Sequence, residues 1–451
     1  MKKKKFRFKK NFIIISAVFI IGLMFAYGSR LVHFYLKENK KIDDSGSGIT
    51  NNYFTEILEN TINVSDINGG LYLDGDNAYM YKYAAEENYL WYSGQLWRLI
   101  RINEDKTISM ITDEAISLIH PNFEDEIYIN DYLKEFYDSL NKKYLVEFSY
   151  CDDQIDDLKK TTCSNSQKGT ITLLDMETYK KTGNTKSFIN NKTTFWLNNT
   201  NTENNYWYID EVGAVGLGTE NVAHNVRPVV TLKKEIKLIS GDGTLDNPYI
   251  IEDQNKSKIS DSSIGEYIKY NDELWRILNI STKSVSAIKV ECIKESDECL
   301  NYKFGYDINY LNSSIYKYLN ETYLIKLENN DFLVKDIFYT GTYNNYNFKT
   351  IKENNIEAYI GIPKIAEYYI QNNINSYLIT PNVIETVYTL NESGNYYLVK
   401  PTTEKNIYPI INFDINLLVT NGNGTINNPY ELSRWEFWIM MKKYFKSMIS
   451  I

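Results

Sequence analysis

Apolar and polar residues alternate in two stretches of the chain, and a short polar turn divides each stretch. The first is "LWRLIRINEDKTISMIT" from residue 96, and the second is "LWRILNISTKSVSAIKV" from residue 274. Alternation in two runs joined by a polar turn predicts a β-hairpin. Farther along, "YINDYLKEFYDSLNKKYL" and "SIYKYLNETYLIKLE" carry apolar residues at three-and-four spacing, which predicts a helix after each hairpin.

These matching stretches belong to an internal repeat with an offset of about 180 residues. "FWLNN" at 195 corresponds to "SYLIT" at 376, and "RPVVTLKKEIKLISGDGTLDNPY" corresponds to "YPIINFDINLLVTNGNGTINNPY". Ordered matches at a nearly constant offset indicate a duplicated module. We therefore predict an α+β fold with two tandem modules, residues 71–253 and 264–433, each with strands at both ends and helices between them.

The loop that closes each module carries side chains that can bind a cation. Asp242 and Asp246 lie in the first loop, but no glycine and glutamate follow at the spacing of an EF-hand. The second loop keeps the turn and has Asn423 and Asn427 at these positions. Since the turn is retained without its carboxylates, we predict hairpin turns with structural glycines at Gly241, Gly243, Gly422 and Gly424.

The N-terminal segment has the pattern of a membrane anchor. Seven basic residues lie within the first ten, and residues 12–29 are largely apolar and uncharged. Such a run predicts a transmembrane helix, and its basic flank places the N-terminus in the cytoplasm. A cleaved signal peptide, cut near Ala26-Tyr27-Gly28, is the alternative. The segments that we predict are a cytoplasmic leader at 1–11, a transmembrane signal-anchor helix at 12–36 and an extracytoplasmic tether at 37–70.

The C-terminal tail, residues 434–451, has no counterpart after the first module. On a helical wheel its lysines fall on one side and most of its large apolar residues on the other. Such a helix suits the headgroup region of a membrane, with packing onto the second module as the alternative. We thus expect a single-pass membrane protein with an extracytoplasmic body.

Charge and cysteine usage narrow the classes of partner. The net charge of −9 argues against nucleic acid and leaves an unknown extracellular ligand, glycan or protein. Close cysteine pairs outside the cytoplasm predict the disulfides Cys151–Cys163 and Cys292–Cys299, with free thiols as the alternative. No CxxC motif is present and the three histidines are far apart, so we predict no metal or other cofactor.

Each module contains one tryptophan followed by an arginine at the corresponding position. Arg98 follows Trp97, and Arg276 follows Trp275 at the corresponding position. We predict that both tryptophans are buried at equivalent places and that all four residues are structural. Anion binding by the two arginines is the alternative, because guanidinium groups hold oxyanions through two parallel hydrogen bonds.

Residues that differ between the modules are the candidates for ligand binding. Arg227 has no arginine counterpart, and Trp196 and Trp207 offer aromatic surface of the kind that binds sugars and peptides. Asp74 and Asp76, in "LDGDNAY", predict a solvated turn, with a cation site as the alternative. No motif of a serine hydrolase, zinc protease or nucleotide-binding enzyme occurs, so we predict no catalytic residue.

The order of these motifs resembles that of known modules. An "LWR" hairpin, a helix with a "YL" core, a "WL" strand, an "RPVV" strand and a closing "GDGTxxNPY" turn resemble modules of membrane-anchored surface proteins of low-GC Gram-positive bacteria. More distantly, the pattern resembles the C-type-lectin-like fold shared with formylglycine-generating enzymes. The resemblance implies a lectin-like fold over residues 71–433 and no assigned activity. A reactive cysteine pair of that enzyme family would lie near the C-terminal core segment, and both pairs here lie elsewhere.

Three functions follow as hypotheses. The first is a membrane-anchored extracytoplasmic protein that binds a ligand of the cell envelope. The second is an envelope enzyme, either a glycan hydrolase or an oxidase distantly related to formylglycine-generating enzymes. Glycan hydrolysis needs only two carboxylates brought together by the fold, and 58 acidic residues give the sequence no way to select a pair. The third is a scaffold for partner proteins.

Overall fold

The computed structural model shows mainly β-sheet among the residues that it describes, of which 41% are in strands and 15% in helices. The predicted α+β class is therefore wrong. Much of each half between the opening hairpin and the last strands forms strands of two to six residues, which are too short to show a clear two-residue period in sequence. The structure describes residues 53–62, 69–75, 77–119, 122–123, 126–159, 163–218, 223–343, 350–352, 354–365, 367, 369, 375–382, 385–390 and 396–434.

Short strands dominate the first half. They are β1 (Gly70–Leu73), β2 (Tyr79–Lys82), β3 (Tyr89–Tyr92), β4 (Gln95–Ile102), β5 (Ile108–Thr112), β6 (Ser117–Ile119), β7 (Asn122–Phe123), β8 (Glu126–Ile127), β9 (Leu145–Val146), β10 (Phe148–Cys151), β11 (Ser166–Gly169), β12 (Thr172–Leu173), β13 (Phe195–Thr200), β14 (Tyr206–Ile209), β15 (Val215–Leu217), β16 (His224–Val226), β17 (Pro228–Leu232) and β18 (Tyr249–Ile250).

The second half is built in the same way. Its strands are β19 (Tyr267–Tyr270), β20 (Glu273–Ile280), β21 (Ser284–Lys289), β22 (Lys294–Glu295), β23 (Glu298–Cys299), β24 (Asn301–Lys303), β25 (Asp336–Tyr339), β26 (Thr342–Tyr343), β27 (Thr350–Lys352), β28 (Asn355–Ala358), β29 (Ile360–Gly361), β30 (Ser376–Pro381), β31 (Val387–Leu390), β32 (Tyr396–Val399), β33 (Glu404–Asn406), β34 (Ile410–Asp414), β35 (Leu418–Asn421) and β36 (Tyr430–Ser433).

Helices occupy few positions in the described residues. The α-helices are α1 (Phe54–Glu59), α2 (Tyr128–Ser139), α3 (Met176–Lys181), α4 (Ser314–Lys317) and α5 (Leu324–Lys326), with a π-helix at Tyr318–Tyr323 that joins α4 to α5. Short 3-10 helices lie at Lys142–Tyr144, Asn184–Lys186, Ile259–Asp261, Tyr310–Asn312 and Asn330–Phe332. The two helices predicted from three-and-four spacing are thus present.

Each half contains a large sheet with the same central strand order. In the first half β18 runs parallel to β3, and β4, β5 and β17 continue antiparallel from it. In the second half β36, β19, β20, β21 and β34 repeat this order and these directions. The hairpin β1–β2 extends the first sheet along β4.

A smaller five-stranded sheet is repeated as well. The antiparallel strands β13, β14 and β15 adjoin β16, which runs parallel to β13 and pairs with β6. The strands β30, β31, β32, β33 and β24 repeat these pairings. The two halves therefore share one strand topology, which accounts for the offset matches in sequence.

Trp97 and Trp275 lie at equivalent places in the two large sheets, and both are fully buried. The indole N–H of Trp97 donates to the carbonyl oxygen of Tyr92 at 3.0 Å, and that of Trp275 donates to Tyr270 at 3.1 Å. Each tryptophan satisfies its polar atom while its ring fills the core, which is the usual condition for burying indole.

The closing turns use side chains as backbone partners. Oδ1 of Asp242 accepts from the N–H of Thr244 at 3.0 Å and from its hydroxyl at 2.8 Å. Oδ1 of Asn423 makes the same contacts with Thr425 at 3.2 and 2.8 Å. The Asn423 amide accepts the same two hydrogen bonds as the Asp242 carboxylate, so the side chain at this position stabilises the turn in both halves. The φ of Gly241 is 91°, and a Cβ there would lie 2.0 Å from a proline carbonyl oxygen.

The described residues fall within one compact unit, and the two halves contact each other directly. The guanidinium of Arg276 forms an ion pair with Glu114 of the first half at 2.6 Å. The N–H of Tyr369 donates to the carbonyl oxygen of Ile116 at 2.9 Å. The second half is thus packed on the first through both side-chain and backbone contacts.

The predicted transmembrane helix, and with it the single-pass location in the cell membrane, is corrected by the structure. No helix in the described part of the chain is long and apolar enough to cross a membrane. The segments 1–11, 12–36 and 435–451 lie outside the described residues. Within the predicted tether, α1 packs into the core through Phe54 and Leu58, which are fully buried.

Both predicted disulfides are present. The Cα atoms of Cys151 and Cys163 are 5.7 Å apart, and those of Cys292 and Cys299 are 5.6 Å apart. Each bridge closes a short local loop within one half. Disulfides are typical of proteins of oxidising compartments.

Candidate functional site

The three residues predicted to bind a ligand are core side chains of the first half. Trp196 is 0%, Arg227 1% and Trp207 8% exposed. The indole N–H of Trp196 donates to Ile119 O at 2.9 Å, and that of Trp207 donates to Ile155 O at 3.0 Å. These three side chains do not form an exposed ligand-binding surface.

Arg227 links several segments from inside the fold. Its Nε donates to the carbonyl oxygen of Thr112 at 2.9 Å, and its Nη1 donates to the carbonyl oxygen of Ile189. Its guanidinium lies 5.0 Å from the centre of the Phe195 ring. Burial lowers the pKa of Arg227 to about 10. The contacts assign this side chain to packing between the sheets.

Arg98 and Arg276 are likewise built into the fold. The guanidinium of Arg98 lies 3.8 Å from the centre of the Tyr89 ring, and that of Arg276 lies 3.8 Å from the centre of the Tyr369 ring. Arg276 also pairs with Glu114. Cation–π stacking with a charged or carbonyl partner satisfies a buried guanidinium, so both arginines have structural contacts.

A cavity of about 300 Å³ lies beside the Cys151–Cys163 disulfide and is lined partly by acidic side chains. The carboxylate of Asp153 accepts the N–H groups of Ser164 and Asn165, each at 2.6 Å. The two sulfur atoms are joined to each other, so neither is a thiolate that can bind a metal. The Ser164 hydroxyl also donates to this carboxylate at 3.1 Å, so Asp153 closes the disulfide loop through local partners.

A second cavity of about 300 Å³ lies on the large sheet of the second half, next to α2 of the first half. We call it the cleft. Its apolar lining consists of Leu278, Ile337, Phe338, Ile362, Ile379 and Ile410. Its polar lining consists of Glu135, Asn279, Ser286, Tyr339, Lys364 and Glu367. Half of the lining residues are polar, so the cleft offers hydrogen-bonding groups beside apolar surface, which a small-molecule site requires.

A β-bulge shapes the floor of the cleft. The register of β20 and β21 shifts between Ile277 and Asn279. A bulge inserts an extra residue and re-aims the side chains beside it, so Leu278 and Asn279 both line the cleft. Strand β4 shifts in the same way between Leu99 and Arg101. The bulge therefore belongs to the repeated topology.

A row of polar side chains crosses this face of the sheet, and two of its members, Asn279 and Ser286, line the cleft. Asn279 is opposite Ser286, and Ser286 is opposite Asn412, so the three side chains share one face of the sheet. The Ser286 hydroxyl donates to Oδ1 of Asn412 at 2.7 Å. Asn412 is 1% exposed, and its Nδ2 has no hydrogen-bond partner among the described residues. A buried amide donor in that state costs about 1–3 kcal/mol.

Strand β25 forms one wall of the cleft. The Phe338 ring packs against Gly361, where an added Cβ would lie 2.3 Å from the ring. Ile337, next along the strand, is 67% exposed. Because Gly361 lacks a side chain, Phe338 lies close to the sheet and leaves the cavity open beside it.

Three charged side chains surround the cleft. Glu135 is exposed on α2, and Lys364 and Glu367 are half-buried in the segment that follows β29. The N–H of Glu367 donates to the carbonyl oxygen of Lys364 at 3.3 Å, which holds the two residues in one turn. With two carboxylates and one ammonium group, the rim disfavours an anionic ligand.

None of the residues that line the cleft was predicted from the sequence. Asn279 and Ser286 occupy ordinary polar positions in an alternating pattern, and Asn412 lies 126 residues beyond Ser286. One sequence feature could have pointed to the cleft, namely a difference between the repeats: Asn279 occupies the position that Arg101 has in the first half. That difference becomes informative only when the strand pairing is known.

No protein-family model, curated protein or solved structure matches the chain. The lectin-like resemblance therefore stays a prediction. The geometry of the cleft carries the functional inference.

Proposed function

We propose that the protein is a binding protein of an oxidising compartment and that the cleft takes a short neutral saccharide. The observation that carries this proposal is the pair Asn279 and Ser286, which lines the cleft beside apolar side chains. The pair continues to the buried Asn412, whose amide nitrogen lacks a partner among the described residues. A saccharide presents hydroxyl groups beside apolar C–H faces. Asn279 and Ser286 offer donors and acceptors to the saccharide hydroxyl groups, and the apolar side chains of the cleft can pack against its C–H faces.

Size and charge narrow the ligand class. The volume of about 300 Å³ lies at the lower end of the range for small-molecule pockets, which favours a short ligand. The Phe338 and Tyr339 rings line one wall and provide aromatic surface for sugar C–H groups. The acidic excess at the rim favours a neutral saccharide over an acidic one.

The test is binding of the purified chain to an array of neutral and acidic glycans, followed by titration calorimetry with the neutral saccharides retained. We expect saturable binding to neutral saccharides without product formation. Asn279→Ala and Ser286→Ala should each weaken binding about tenfold, because each removes a hydrogen bond to the ligand or to the row.

Ser109→Ala is the matched control. Ser109 is the counterpart of Ser286 in the first half, and its hydroxyl lies 3.1 Å from that of Thr231. It does not line the cleft, so saccharide binding should be unchanged. Absence of saturable binding to every neutral saccharide would contradict the proposal. Cleavage products would instead favour an enzyme, and specific capture of peptides alone would favour a scaffold.

A further inference from the structure

A carboxylate surrounded by three cations lies on the large sheet of the first half, away from the cleft. Asp74 is 3.9 Å from Nζ of Lys82, 4.0 Å from Nη2 of Arg101 and 4.0 Å from Nζ of Lys181. Glu177 adds a second carboxylate, 2.9 Å from Nζ of Lys181. We call these five residues the Asp74 cluster. It has an excess of positive charge in a chain whose net charge is −9.

The charges of the cluster are close, but they are not joined by hydrogen bonds to Asp74. Distances of 3.9–4.0 Å exceed the usual hydrogen-bond range of about 2.7–3.2 Å. Within the described residues, the buried atoms Oδ2 of Asp74 and Nε of Arg101 have no hydrogen-bond partner. The Asp74 side chain is only 14% exposed. The cluster therefore contains one unsatisfied acceptor and one unsatisfied cationic donor.

Three separate elements hold the cluster in place. Asp74 follows β1, and its N–H donates to the carbonyl oxygen of Ala78 at 2.9 Å. Arg101 follows the bulge in β4, and Lys181 ends α3. The N–H of Tyr83 donates to the carbonyl oxygen of the residue after α3 at 2.7 Å, which fixes that helix end beside β2. Such positioning prepares the cluster for a ligand.

We infer that the Asp74 cluster binds a phosphate group that carries one proton. The phosphate oxygens accept hydrogen bonds from Lys82, Arg101 and Lys181, and the P–OH group donates to Oδ2 of Asp74. A phosphate ester, whose second pKa is about 6, keeps such a proton at and below about pH 6 and largely loses it at higher pH. Sulfate has no such proton, so it meets the Asp74 carboxylate with repulsion alone. The second half has Asn279 at the position of Arg101, so the cation set is not repeated there.

The experiment is titration calorimetry of the purified chain with inorganic phosphate and with sulfate near pH 6, at an ionic strength held constant with chloride. We expect saturable phosphate binding about tenfold or more tighter than sulfate binding. Lys181→Gln and Arg101→Gln should each weaken phosphate binding about tenfold. Lys106→Gln is the control, since that lysine pairs directly with Glu59 at 2.6 Å, and it should leave binding unchanged.

Asp74→Asn separates phosphate recognition from a purely structural ion network. It removes a negative charge close to the ligand, so sulfate affinity should rise about tenfold at low salt and the preference for phosphate should disappear. Equal wild-type affinities for the two anions, no saturable phosphate heat, or unchanged binding in Lys181→Gln would each overturn the inference. So would an Asp74→Asn variant that loses thermal stability and gains no sulfate binding. Lys181 is 42% exposed at a helix end, so its variant remains informative if the arginine variant fails to fold.

Discussion

Replacing Glu266 with glutamine should change how the free energy of unfolding depends on pH. Glu266 is 1% exposed, and its Oε2 accepts the N–H of Ser263 at 2.6 Å. Burial raises the pKa of this carboxyl to about 7. The N–H of Ser263, the charge of Lys256 and the hydroxyl of Tyr430 oppose that shift, while the nearby Glu252 carboxylate adds to it.

The raised pKa makes the folded state less stable as the pH rises, because the carboxyl ionises more readily in the unfolded state. Below about pH 4.5 the carboxyl is protonated in both states, so it contributes nothing to the pH dependence. As the pH rises, the unfolded chain ionises first and stability falls, until the full penalty is reached above the folded pKa. A folded pKa of about 7 against the usual 4.5 corresponds to a loss of about 3 kcal/mol.

The assay is urea unfolding of the wild type and Glu266→Gln between about pH 4 and pH 8. Glutamine stays neutral and retains an acceptor for Ser263. We therefore expect similar stabilities near pH 4 and a variant more stable by up to about 3 kcal/mol near pH 8. Glu298→Gln, an exposed carboxylate on β23, should show no such divergence. A gap that does not change with pH, or a variant that is less stable near pH 8, would refute the reasoning.

Three further predictions concern the fold. Removing the Cys151–Cys163 disulfide with two alanines should lower the free energy of unfolding by up to about 3 kcal/mol, and an unchanged urea midpoint would contradict its structural role. Gly241→Ala should lower Tm more than Gly75→Ala, because both glycines have positive φ but only at 241 does an added Cβ meet backbone, at 2.0 Å, against nothing within 4 Å at 75. Equal losses would reject the steric reason. Trp275→Ala should cost about 3–5 kcal/mol in urea unfolding, and a loss below about 1 kcal/mol would be incompatible with full burial.

Local features of the fold could be predicted from the sequence. The hairpin of β4 and β5 follows the predicted alternation, and α2 covers most of the stretch predicted as a helix. The disulfides could be predicted because each joins cysteines that are close in sequence. These features depend on periodicity and spacing over a few residues, and both can be read from a single sequence.

Features that depend on long-range pairing could not be predicted. The smaller sheets consist of strands too short to show a clear two-residue period, and each five-stranded sheet is completed by a distant pairing, β16 with β6 or β33 with β24. The predicted class was therefore α+β. Arg227 differs between the repeats, which suggested ligand contact, yet burial gives it a packing role. The cleft depends on the register that places Asn279, Ser286 and Asn412 side by side. That register cannot be deduced from the residue types alone.

Hydrogen–deuterium exchange with and without a neutral saccharide retained on the array tests the central claim most directly. Bound saccharide should slow exchange in β25, at residues 336–339, and in the segment 362–365, because both contribute lining residues to the cleft. The hairpin β1–β2, at the separate Asp74 cluster, should be unaffected and serves as the internal control. Protection confined to other segments, or no protection at saturating saccharide, would contradict saccharide binding in the cleft.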